Sequence, residues 1–218
     1  MNLLWRRLQA TRWMRSNAYV LWDPETREAA VVDPGGRAAQ LLRLLHRLRI
    51  RRVRYLLLTH GHVDHIGAVH VLHENTGAPI LLHEQEVPVY RSPWKNGSWL
   101  LLKPLRPPGP HRLLQDGMFL PLGQAGLVVL HTPGHTPGSV CFYGGSVVIT
   151  GDTLFLRSVG NTWTPGASRA RLLESLRQRI LTLPGDPWVL PGHGRVARLS
   201  VVKALNRTLQ EALVRARP

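Results

Sequence analysis

No stretch constrains this chain more than Thr59-His60-Gly61-His62-Val63-Asp64-His65-Ile66-Gly67. Four side chains able to ligate a metal, His60, His62, Asp64 and His65, fall within six positions. They follow the apolar run Val53 to Leu58, which reads as a buried strand. Side chains on extended backbone repeat every two residues, so His60 and His62 point to one side and can share a cation. Asp64 and His65 fall where the chain must turn into a helix, and they face a different point. A single cation would leave half of these ligands idle.

The remaining candidates are isolated: His135 in His131-Thr132-Pro133-Gly134-His135, Asp152 in Thr150-Gly151-Asp152-Thr153, and His193 in Pro191-Gly192-His193-Gly194. Each lies just past a β-rich apolar run and beside a glycine, where a sheet aims side chains into a cleft at its edge. Other histidines carry less. His131 is expected to brace the loop of His135, His70 and His73 read as surface residues, and His46, His83 and His111 have no evident partner. Cys141 sits within Val140-Cys141-Phe142-Tyr143 and reads as packing in an interior strand.

Together these residues resemble the metallo-β-lactamase-fold hydrolases, and within them the short bacterial glyoxalase II-like (hydroxyacylglutathione hydrolase-like) branch, over roughly residues 17 to 194. Periodicity alone says only mixed α/β. The resemblance implies more: a four-layer αββα sandwich of two mixed β-sheets flanked by helices, with the metal site along their shared edge. It implies that His60, His62 and His135 hold one metal and that Asp64, His65 and His193 hold the other, with Asp152 bridging. Two divalent ions are implied, zinc first, with iron or manganese as alternatives, since a histidine and carboxylate shell accepts each. Asp64 and Asp152 are the implied catalytic carboxylates.

The bridging aspartate resembles glyoxalase II, lactonases, persulfide dioxygenases and ribonuclease Z rather than true metallo-β-lactamases, so antibiotic hydrolysis is not expected. The implied activity is hydrolysis of a small-molecule thioester or related acyl ester. Two departures put glutathione recognition in doubt: only 25 residues follow His193, enough for one short C-terminal helix, and Asn161 stands where relatives often have arginine. The alternatives are a metal-dependent phosphodiesterase or ribonuclease of the same fold, and a mononuclear iron persulfide dioxygenase.

Composition bounds the rest. A chain of 218 residues suits one domain, 1–218, burying roughly 70% of the surface its unfolded chain exposes. One cysteine excludes a disulfide framework and points to a reducing, cytoplasmic setting, and no segment reads as a signal peptide or membrane span. The formal charge is +15, and 25 of the 28 basic residues are arginines. On the helix expected from about Arg37 to Arg49, Arg43 and Arg47 lie away from the stripe Leu41, Leu44, Leu45, Leu48, so a solvated basic face is favoured over nucleic-acid binding.

A hairpin is expected from Ala18 to Val32. Helices are expected from about His65 to Glu74, Arg169 to Leu181 and Leu199 to Arg215. Residues 84–115 read as a proline-rich insertion loop whose Trp94, Lys95, Trp99 and Lys103 suit an acyl chain with an anionic tail, or else a loop packed on its own tryptophans.

Overall fold

A computed structural model describes residues 3–101 and 104–214; Lys103 and the Arg215 end of the last helix lie outside them. One six-stranded sheet runs in chain order: β1 (Leu4–Gln9), β2 (Asn17–Trp22), β3 (Glu28–Val32), β4 (Arg52–Leu57), β5 (Ile80–His83) and β6 (Arg112–Leu114). Its first three strands pair antiparallel, and β3 to β6 pair parallel. The second sheet holds β7 (Phe119–Leu122), β8 (Ala125–His131), β9 (Val140–Tyr143), β10 (Val147–Gly151), β11 (Trp188–Pro191) and β12 (Ala197–Arg198), antiparallel except for β10 with β11. The helices are α1 (Ala38–Arg47), α2 (Val63–Ile66), α3 (Val69–Thr76), α4 (Val87–Arg91), α5 (Arg169–Ser175), α6 (Leu199–Leu205) and α7 (Arg207–Val214).

Strand β4 shows why its apolar run is unbroken. Tyr55 and Leu57 face the layer between the sheets, with Phe142, Val129 and Ile149. Leu56 and the following Leu58 face the opposite way, onto Leu41 and Leu45 of α1 and Val69 and Leu72 of α3. A strand covered on both faces has no polar positions to alternate. The second sheet is covered likewise: Cys141, Val148 and Val189 pack under Leu172 of α5 and Leu199 and Val202 of α6. Helix, sheet, sheet, helix is the expected four-layer sandwich.

Four expectations need correction. The helix from His65 to Glu74 is two, because the backbone N–H of Ala68 donates to the carbonyl of Pro34 (2.7 Å) instead of continuing the helical ladder. The C-terminal helix is also two. Asn206 breaks it, donating from Nδ2 to Phe155 O and Ser158 O and accepting from Leu209 N at the start of α7. The stretch 84–115 is not a bare loop, since it holds α4, two 3-10 turns and β6. Finally, α5 runs into a π-helical turn, Leu176–Ile180, in place of one regular helix.

Two histidines thought to be without partners have them. His111 lies against His73, with ring centroids 4.3 Å apart, and His83 stacks on His131 at 4.1 Å. Burial and the facing His131 ring push the His83 imidazole down to about 4, and its Nδ1 accepts from Gln85 N. A histidine whose folded pKa lies below its unfolded value contributes stability that is full above pH 6.5 and is lost as pH falls toward 4. Exchanging it for asparagine, which keeps an acceptor, should reduce that acid-linked loss by about 1–2 kcal/mol. Urea unfolding of metal-free wild type and His83→Asn at pH 7 and pH 4.5 checks it; an equal loss in both proteins would refute the assignment.

Candidate metal centre

Every candidate ligand sits where a strand ends along one edge of the sandwich. His60 and His62 follow β4, Asp64 and His65 form the first turn of α2, His135 lies in the loop after β8, Asp152 follows β10, and His193 follows β11. The structure brings all seven together. His60, His62 and His135 form one trio of facing ligand atoms and Asp64, His65 and His193 another, each within 4.8 Å. Asp152 lies between them: Oδ1 is 3.4 Å from His65 Nε2, and Oδ2 is 3.4 Å from His193 Nε2 and 3.7 Å from His135 Nε2. His62 Nδ1 is 3.0 Å from His135 Nε2, and His65 Nε2 is 3.4 Å from His193 Nε2. Ligands about 2.0–2.2 Å from a tetrahedral cation stand roughly 3.3–3.5 Å apart, so these separations suit a shared ion.

Hydrogen bonds at the back of four of the five rings fix which nitrogen faces inward. His65 Nδ1–H donates to Asp33 Oδ2 (3.0 Å), His135 Nδ1–H to Asn161 O (2.8 Å) and His193 Nδ1–H to Met14 O (3.0 Å). The Thr59 hydroxyl donates to Asp33 Oδ2, so it accepts from His60 Nδ1–H (3.0 Å). With these protons held outside, four Nε2 atoms are turned toward the centre. Among the described residues, five buried side-chain polar atoms lack a hydrogen-bond partner. Three of them, His60 Nε2, Asp64 Oδ2 and Asp152 Oδ1, belong to the cluster and are not the outward ring nitrogens. An unsatisfied buried group costs about 1–3 kcal/mol, so a cluster of three fits a site built to hold cations.

The two trios differ in charge. Burial, then the neighbouring His65, holds His60 well below the usual imidazole value, and burial with His135 brings His62 down to about 3. Burial also disfavours charge on His65 and His193, but Asp64 and Asp152 outweigh it, with Asp33 adding at His65, and raise them to about 9 and about 10. Asp152 and Asp64 are depressed despite their burial, chiefly by His65.

Several supporting residues gave no sequence signal. Asp33, read only as part of a turn, also accepts from Thr59 N (2.8 Å) and so fixes Thr59 and His65 at once. Glu86 is fully buried; it accepts from Gly61 N and Gly138 N, each at 2.9 Å, tying the loop of His60 and His62 to that of His135. Burial pushes its acid up to about 7. Ser16 Oγ donates to Asp64 O (2.8 Å), which anchors the β1–β2 loop at the site.

A cavity of about 400 Å3 opens over the centre. His62, Asp64, His135 and Asp152 lie in its floor, and the expected Trp94, Lys95, Trp99 and Asn161 line it with Trp13, Met14 and Trp163. Trp94 and Trp99 also pack on each other, with ring centroids 4.8 Å apart.

Residues 11–193 match the family model described as the metallo-beta-lactamase superfamily. The chain belongs to that superfamily. Hydroxyacylglutathione hydrolase GloC of Haemophilus influenzae is 33% identical over 196 residues, spanning 88% of this chain and 92% of its own. Among solved structures, BLEG-1 B3 metallo-beta-lactamase superposes with a TM-score of 0.87 at 35% identity, covering 94% of this chain and 99% of its own. TTHA1623 in a di-iron-bound form gives 0.81 at 37%, covering 92% and 98%. This metallo-β-lactamase superfamily member is thus a metal-dependent hydrolase with a metal-binding histidine and aspartate cluster. Among its described residues no helix is long and apolar enough to cross a membrane.

Proposed function

We propose that the protein is a dinuclear metal-dependent hydrolase of a thioester or related acyl ester. The observation that carries this reading is the pair of ligand trios flanking Asp152, with inward atoms left without protein partners. The relative named hydroxyacylglutathione hydrolase supports the substrate class.

His60, His62 and His135 would hold one cation, Asp64, His65 and His193 the other, and Asp152 both. Such a pair supplies hydroxide near neutral pH and Lewis acidity for the carbonyl oxygen. The residues do the rest. Asp64 Oδ2, buried and 3.3 Å from His193 Nε2, orients the attacking water by accepting its hydrogen bond. Trp13, Trp94, Trp99 and Trp163 flank the acyl chain and exclude water, while Lys95 and Asn161 offer a charge and an amide to its polar end. Two divalent cations outweigh two carboxylates and a hydroxide, so the site stays positive and favours electron-rich carbonyls and anionic substrates. Zinc is the first assignment, with iron beside it because of the di-iron relative.

A turnover panel tests the reading: S-lactoylglutathione, other acyl thioesters, a lactone, bis(p-nitrophenyl) phosphate and a penicillin, with oxygen uptake followed for a persulfide. The penicillin is included because a relative at 35% identity is described as a B3 metallo-beta-lactamase, although the bridging aspartate argues against that substrate. Thioester turnover should exceed the rest; phosphodiester or β-lactam turnover above it, or oxygen consumption, would replace the reading.

A further inference from the structure

Beside the metal centre lies a second, larger cavity of about 620 Å3, walled by Arg7, Arg12, Arg15 and Arg37 with Gln9, Met14, Asn17, His193 and Gly194. Arginine makes up 25 of 218 residues, about one in nine, yet it supplies four of the nine walls here. Among the described residues, no carboxylate lines the cleft and none of the four arginines forms a salt bridge. Arg7 donates to the Gly194 carbonyl (2.9 Å), which steadies it at the wall. Guanidinium groups lining one cleft with no carboxylate beside them offer charge-assisted, bidentate hydrogen bonds to an anion with several oxygens.

The cleft is joined to the chemistry. His193 is one of its walls, and the Nε2 of that ring faces Asp64 and Asp152 at 3.3 and 3.4 Å. Met14 lines both this cleft and the aromatic cavity over the metal centre. A substrate with its acyl group among the tryptophans and its carbonyl at the metals can therefore run its leaving group past Met14 into the arginines.

We propose that the arginine cleft binds the phosphorylated end of the leaving thiol, so that the preferred substrates are thioesters of a phosphopantetheine-type thiol such as coenzyme A. This rests on the thioesterase reading and narrows it. A concave cleft next to a ligand histidine suits a compact polyanion better than the extended backbone of a nucleic acid, which needs a long basic face.

The test compares acetyl thioesters of coenzyme A, glutathione and pantetheine on the metal-loaded protein, with Arg12→Ala/Arg15→Asn as the variant. Asparagine is chosen at position 15 because that residue has a φ of 53°. Wild type should prefer the coenzyme A ester through KM. The variant should raise that KM by about tenfold or more, since two charge-assisted contacts are lost, and leave kcat and the pantetheine ester unchanged. Arg12→Lys/Arg15→Lys should restore part of the affinity. Calorimetry with adenosine 3′,5′-bisphosphate reads the cleft without turnover: binding that weakens in the variant supports the anion site even if no thioester is cleaved. Equal effects on all three esters, unchanged bisphosphate binding in the variant, or tight RNA binding without thioester preference would overturn the proposal.

Discussion

Replacing Asp152 with alanine is expected to release at least one of two cations and to lower turnover of any substrate by roughly 10³-fold, which corresponds to the several kcal/mol that a cation contributes to charge stabilisation. Asp152 places its carboxylate oxygens within 3.7 Å of Nε2 atoms from both trios. Its loss leaves His193 with Asp64, and His65 with Asp64 and Asp33, as acidic neighbours, so the second trio should bind its cation more weakly. Elemental analysis and kcat on the same preparation check both halves. Full metal content with near-normal kcat would show that Asp152 does not join the two sites.

Gly192→Ala should damage the centre almost as severely without removing a ligand. A Cβ there would fall on Asp152 Oδ1 and lie 2.7 Å from His65 Cε1. Gly192 is pinned on both sides, its N–H donating to Gly151 O (2.7 Å) and its carbonyl accepting from Asn17 N (2.7 Å), so the carboxylate must yield. Cation affinity should drop by about 100-fold, the scale on which displaced ligands and their supports act. Gly194→Ala is the contrast. Its φ is 80° and no atom lies within 4 Å of the new Cβ, so it should cost about 1–2 kcal/mol of stability through backbone strain and keep its metals. Chelator competition and thermal unfolding of both variants separate the effects. Equal metal affinity in the two would mean that the close packing at Gly192 does not support the site.

The clustering of these seven side chains was legible because their chemistry is compressed: His60 to His65 carry four donors on one strand-to-helix turn, and His135, Asp152 and His193 each follow an apolar strand. What positions them was not. Asp33 and Glu86 act through contacts to residues 26 and 25 positions away at their nearest, Thr59 and Gly61, and an isolated acid carries no mark of such a role. Strand β1 was hidden because an edge strand need not alternate: Arg6 and Arg7 are exposed while Trp5 packs edge-on against Tyr19 and Trp188. The loop after β1 brings Trp13 and Met14 to the aromatic cavity, a juxtaposition only the folded sheet creates. The helix breaks at Ala68 and Asn206 followed from hydrogen bonds to Pro34, Phe155 and Ser158, partners distant in the chain. Apolar periodicity had no means of registering them.

The most direct measurement is the metal content of the purified chain after loading with zinc or iron and removal of the excess, read alongside thioester turnover. Two equivalents per chain are expected, with activity lost on chelation and regained on adding metal back. A folded preparation that retains no metal, or one that reaches full activity with a single equivalent, would contradict a reaction carried by a cation pair across Asp152.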